Sequence, residues 1–243
     1  MALPHFSLRR LRLASGLVMF VYLTLHLVNH ALGIFSLDMA ERGLRVALAI
    51  WRNPIASFLL YGAAAIHVSL ALSTLYSRRA WDLPWIEIIR LFAGFGFPLL
   101  LIGHAVNARL GDALYSLHPS YTSIITNLLA AGTQGLQLGL LAPGWIHGCL
   151  GLWITLRRFP AMLRLKPLLI ALVVLIPFAA AAGFVRMALA VSALPPTPPS
   201  PALLAEQQAL GHWADVAMRG YLGAIAAAFL LGRMRAFFAS RSI

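Results

Sequence analysis

The sequence predicts an all-α, polytopic membrane protein, and three observations carry that expectation. The 243 residues are 60% hydrophobic and only 11% charged, with a mean hydropathy of +0.83. A soluble domain of similar size carries about 25% charged residues. Six separate apolar runs each reach the roughly 20 residues that a helix needs to cross a bilayer. The basic residues fall in short clusters between those runs, as topology signals do. A net charge of +12 would otherwise suggest nucleic acid, but its distribution argues against such a partner.

The first run, near Leu13–Ser36, follows a basic start. It is too long for the apolar part of a signal peptide, and no small-residue cleavage site precedes the first charged loop, so it reads as a true span. The remaining runs lie near Pro54–Tyr76, Ile86–Ala108, Leu136–Leu156, Pro167–Ser192 and Val216–Leu231. With the N-terminus inside, thirteen of the 19 basic residues face the cytoplasm: Arg9, Arg10, Arg12, Arg78, Arg79, Arg90, Arg157, Arg158, Arg164, Lys166, Arg233, Arg235 and Arg241. The other six, Arg42, Arg45, Arg52, Arg109, Arg186 and Arg219, fall outside. Skipping a span would break that alternation, so both termini are expected in the cytoplasm.

Residues 1–243 thus form one six-helix transmembrane domain. Between the spans, Asp38–Ile50 mixes charges with Met39, Leu44, Ala47 and Leu48, the pattern of a short interfacial helix. Gly111–Gly135 is a longer outer loop with a turn around His118. Pro195–Pro201 reads as a stiff polyproline connector. Trp51, Trp81, Trp85, Trp153 and Trp213 suit interfacial belts. The lone Cys149 excludes an internal disulfide or a cysteine-ligated cluster. No repeat, Gly-rich nucleotide loop or soluble domain appears.

The chemistry sits inside the spans. Thr24-Leu25-His26-Leu27-Val28-Asn29-His30 places two imidazoles and an amide where a lipid-embedded helix should be hydrocarbon, and the next three runs each carry one histidine, His67, His104 and His147. Intramembrane ionisable residues are costly enough that function is the default explanation. Neutral imidazole is the common axial ligand of a low-spin haem iron, and such ligands project inward from facing helices of a bundle. Four histidines on four consecutive spans therefore predict a four-helix bundle holding two stacked haems. At about 1.5 Å per residue, His67 and His147 share a depth and form the inner pair. His104 pairs with the first helix, where depth favours His30 over His26. Arg109, five residues beyond His104, is a candidate partner for haem carboxylates, or an arginine snorkelling to the interface.

Several blocks of the sequence resemble a known family. They are Arg12–Gly16, His26–Gly33, Leu60-Tyr61-Gly62 with Ile66-His67, Arg78-Arg79, Pro98–Leu101 with His104 and Arg109, and Trp145–Leu152. The family is the six-helix, dihaem cytochrome-b-type membrane anchor of bacterial class III adenylate cyclases, itself similar to the membrane subunits of succinate dehydrogenase and fumarate reductase. The resemblance covers the first five helices, and the block around His147 is its most specific part. It implies two haem b groups on His26, His67, His104 and His147, contact with quinone or quinol, and control of a cytoplasmic cyclase or ferredoxin-like effector from the bacterial inner (plasma) membrane. A homodimer is among the assemblies it admits. It also departs from the family: no cyclase domain follows the sixth helix, so an excised anchor or a stand-alone relative is expected. Arg12 and Ser15 match the quinone-site residues of the dehydrogenase subunits only loosely, and Ser15 reads equally as a helix start.

The expected function is therefore a dihaem anchor that senses or relays the redox state of the quinone pool. The main alternative is an electron-transfer cytochrome b subunit of a quinone-linked respiratory oxidoreductase. A six-helix transmembrane ferric or ascorbate reductase carries histidines on its second to fifth helices, and the fifth here has none. A haem-free transporter or proton relay would want carboxylates within the spans, where only Glu87 stands near one end. No catalytic domain is expected in this chain.

Overall fold

The computed structural model describes residues 5–195 and 198–240, and all regular structure among them is helical. The helices are α1 (His5–Ala31), α2 (Leu37–Trp51), α3 (Pro54–Ser77), α4 (Trp85–Ala105), α5 (Gly111–Tyr115), α6 (Tyr121–Ala130), α7 (Gln134–Leu156), α8 (Pro160–Arg164), α9 (Lys166–Ser192) and α10 (Pro201–Ser240). A 3-10 turn, Leu32–Ile34, extends α1, and a π-helical turn, Val106–Leu110, joins α4 to α5. Six stretches are long and apolar enough to cross a membrane, at Leu8–Ile34, Pro54–Ser77, Trp85–Tyr115, Gln134–Leu156, Lys166–Ser192 and Pro201–Ala239. By length and composition, the chain is a multi-pass membrane protein. Large apolar side chains such as Phe58, Phe92 and Phe178 stand more than 70% exposed on its outer surface, as lipid-facing positions do.

Two spans run longer than the sequence suggests. The third continues through the π turn to Tyr115. The sixth is part of a 40-residue helix, about 60 Å at 1.5 Å per residue, where the hydrocarbon core measures about 30 Å. Glu206, Gln207, Gln208, His212 and Asp215 lower the hydropathy before Val216, but nothing there breaks a helix. Ser200 starts α10, its side chain accepting from Leu203 N at 3.2 Å, and Pro201 sits where a missing N–H costs nothing. Of the expected polyproline connector, Pro196 and Thr197 lie outside the described residues.

The spans close into a ring. α1 packs on α3 and α9, α3 on α10, α10 on α4, α4 on α7, and α7 on α9. This sets α1 opposite α4 and α3 opposite α7, the diagonals expected of an up-down bundle. Helix α10 packs on both α3 and α4, and α9 on both α7 and α1, while α1 and α7 also touch directly through Phe20 and Trp145.

In lipid, no hydrophobic drive pulls helices together, and close backbone approach at small residues does much of the work. A Cβ on Gly183 would collide with the His30 carbonyl, and one on Gly33 would lie 2.6 Å from the Gly183 carbonyl, so the α1–α9 crossing is built on this glycine pair. Gly183→Leu is expected to force the two helices apart, at a cost of about 1–3 kcal/mol for overpacking. The melting temperature of the detergent-solubilised protein should fall; an unchanged one would rule out so tight a crossing. Another conflict is settled by a side chain. Pro177 has no N–H for the Val173 carbonyl one turn before it, and Trp145 Nε1 donates to that carbonyl at 2.8 Å.

At one end of the ring, α2 and α6 form a cap. The interfacial stretch after Asp38 is helical as expected, started by Ser36, whose hydroxyl accepts from Met39 N. The helix inside the Gly111–Gly135 loop was not legible in the sequence. It is α6, begun by a reciprocal Ser120–Ser123 capping box. Its Tyr121 and Ile125 are buried with Ala40, Phe184, Met187 and Val191. Burial pushes the Tyr121 hydroxyl well above its usual range, so it stays a neutral phenol that accepts from Asn29 Nδ2 at 2.8 Å.

Candidate functional site

The ring encloses a cavity of about 930 Å³, near the upper end of the roughly 300–1,000 Å³ typical of ligand pockets. His26, His30, His67, His104 and His147 all line it. They gather at two levels.

At the level nearer the N-terminus, the His67 and His147 rings meet edge-on, their planes 86° apart and their centroids 6.1 Å apart. His147 reaches across from α7 to α4, its Nδ1 lying 3.0 Å from the Arg90 carbonyl oxygen. A carbonyl only accepts, so Nδ1 carries the proton and Nε2 keeps a lone pair. The approach depends on Gly94, where a Cβ would come within 2.6 Å of the ring. His67 Nδ1 lies 3.2 Å from Ser15 Oγ. The Ser15 hydroxyl donates to the Arg12 carbonyl at 3.1 Å, so it accepts from His67, again leaving Nε2 with the lone pair. Ser15 lies well inside α1 and is only 4% exposed. It does not start the helix; it orients His67.

At the other level, His104 Nδ1 lies 3.0 Å from Gln137 Oε1, and its ring faces His26 at 5.8 Å between centroids. His30, one turn further along α1, places its Nε2 3.2 Å from His26 Nε2 and packs edge-on to Tyr121 and Phe184. The ring opposite His104 is thus that of His26. Depth counted from a third span ending near Ala108 favours His30; with that helix running to Tyr115, His104 lies deeper.

Arg109, in the π turn, lines the far mouth of the cavity, donates to Ser57 Oγ at 3.3 Å and sits over the Tyr61 ring at 5.8 Å. Sequence reasoning missed its neighbour Arg52, which also lines that mouth and is ion-paired with Asp112. The signal available was its position between Trp51 and the Asn53-Pro54 helix start. Gln137 was missed too, although it is a lone amide near the head of an apolar run. At the opposite mouth Arg12, Arg78, Arg90 and Arg158 line the cavity. Arg12 donates to Thr74 Oγ1 at 2.7 Å, and Arg90 pairs with Glu87 at 2.6 Å. His118 contacts Asp112 and His212 contacts Trp213; neither lines the cavity.

Among the described residues, no group of three or more His, Cys, Asp or Glu side chains is arranged to hold a metal ion. The imidazoles meet across the cavity in two groups, His67 with His147, and His26 and His30 with His104. No family model, curated protein or solved structure matches the chain. The functional reading therefore rests on the geometry of this cavity and on the sequence blocks that build it.

Proposed function

We propose that the chain is a dihaem b-type membrane cytochrome that relays the redox state of the quinone pool to a cytoplasmic effector. The observation that carries this reading is the pairing of imidazoles across an intramembrane cavity, with three of them fixed through Nδ1 and free at Nε2. What supports a fit to haem is the donor chemistry: neutral imidazoles on opposite helices, 6.1 and 5.8 Å apart between centroids, around one cavity.

His67 and His147 would hold the inner haem, and His104 with His26 the outer one. Bound haem supplies reversible one-electron chemistry. The protein's part is to hold and orient. Ser15, the Arg90 carbonyl and Gln137 lock three imidazoles in the tautomer that ligates, and such outer partners raise ligand basicity. Arg109 and Arg52 at one mouth, and Arg12 and Arg90 at the other, offer charge-assisted donors to carboxylates. Phe20 stacks on Trp145 at 5.3 Å and covers Gly148, so the block around His147 makes a dry wall. The basic asymmetry supports cytoplasmic termini in a bacterial plasma membrane. Quinone contact and an effector such as a cyclase or ferredoxin-like domain rest on the family resemblance.

The test is expression with haem supply, followed by a reduced-minus-oxidised spectrum and pyridine haemochrome counting. Two b haems per chain are expected; a purified, folded protein without haem would refute the proposal. Ser15→Ala should leave His67 Nδ1 without its acceptor and weaken inner haem retention by about 10–100-fold, with the outer haem unchanged. Equal retention of both haems would remove Ser15 from the site.

A further inference from the structure

Helix α1 brings one imidazole more to the outer level than a facing pair needs. His26 and His30 are four residues apart and share one helix face, the spacing at which a single helix presents two imidazole nitrogens to one metal. Their Nε2 atoms are 3.2 Å apart and their centroids 4.7 Å. The two nitrogens therefore lie within hydrogen-bond distance of each other, beside the His26 ring that packs on His104. His30 is also poorly explained as packing. Its Nδ1 is buried with no hydrogen-bond partner, an arrangement that costs stability. Its neighbours Tyr121 and Phe184 would pack equally well against an apolar residue of the same size. A buried nitrogen kept at such a cost calls for a use in the cavity.

We infer, on the basis of the dihaem reading above, that His30 is a reserve ligand for the proposed outer haem. In the native protein His26 faces His104, and His30 stands beside it with its Nε2 against that of His26. When His26 is absent, a side-chain movement of about one hydrogen-bond length carries His30 Nε2 into the vacated position. The ring stays neutral throughout: with Nε2 bound to metal, its proton resides on the buried Nδ1. The outer position thus tolerates loss of either first-helix imidazole but not of both. The inner pair has no such duplication, since α3 and α7 carry one histidine each.

The experiment compares His26→Ala, His30→Ala and the double variant by pyridine haemochrome count and by low-temperature absorption and electron paramagnetic resonance. The inner haem signal serves as the reporter of folding in every sample, and His26→Gln repeats the test with less loss of volume. Each single variant is expected to keep both haems, with His26→Ala showing a shifted outer-haem signature. The double variant is expected to lose the outer haem alone. The inference is overturned if His26→Ala and His26→Gln are already as haem-poor as the double variant, or if the double variant keeps both. It is equally overturned if His30→Ala alone loses the outer haem, because His30 would then be the primary ligand. A wild-type protein with no haem would sink the dihaem reading itself, whereas wild type with both haems and His26→Ala with only the inner one would sink the reserve role alone.

Discussion

His147→Ala is expected to remove the proposed inner haem completely, leave the proposed outer one in place, and halve the pyridine haemochrome count. His67→Ala should give the same loss, since both imidazoles would hold the proposed group and their rings meet at 6.1 Å across the cavity. No other imidazole is within reach: the remaining cavity histidines, His26, His30 and His104, group together at the far level. The equality of the two losses is the informative part. A helix-packing histidine would affect stability with no bearing on which haem is missing. Retention of both haems in either variant would end the assignment of this pair.

Gly94→Ala should have the next largest effect, and a neighbour on the same helix isolates it. A Cβ at Gly94 would lie 2.6 Å from both Cε1 and Nδ1 of His147, while a Cβ at Gly96 meets nothing within 4 Å. Both substitutions gain the same helix propensity, about 1 kcal/mol, so their difference reports the collision. The ring of His147 has nowhere to retreat without giving up the Arg90 carbonyl. The expected cost is about 1–3 kcal/mol of overpacking, with inner haem affinity reduced about 10–100-fold through the lost orienting bond. Thermal stability and haem content of Gly94→Ala against Gly96→Ala check this; equal behaviour would show that His147 does not depend on the close approach to α4.

The membrane class was legible in the sequence, because hydropathy and charge clustering are local properties. Each span's apolar run and each basic cluster can be read without knowing its neighbours. The candidate histidines were legible for the same reason: an imidazole within hydrocarbon stands out wherever its helix packs. The interfacial helix after Ser36 was also readable, from its alternation of charged and apolar residues. By contrast, α6 was hidden because Tyr121-Thr122-Ser123-Ile124-Ile125 is rich in β-branched residues, and its helicity is set by the Ser120 cap and by burial of Tyr121 and Ile125.

The sequence by itself determined that this chain crosses a membrane and that imidazoles lie within its first four spans. Tertiary structure alone decided how those imidazoles meet. Helices α9 and α10, which carry no cavity histidine, complete the ring that holds α1 across from α4 and α3 across from α7. It also decided that His26, not His30, faces His104, because the helix of His104 continues past the π turn and sets that residue deeper. The orienting partners Ser15, Gln137 and the Arg90 carbonyl are separated from their histidines by 33 to 57 positions. No local pattern encodes such contacts; they exist only once glycines such as Gly94 let the backbones approach.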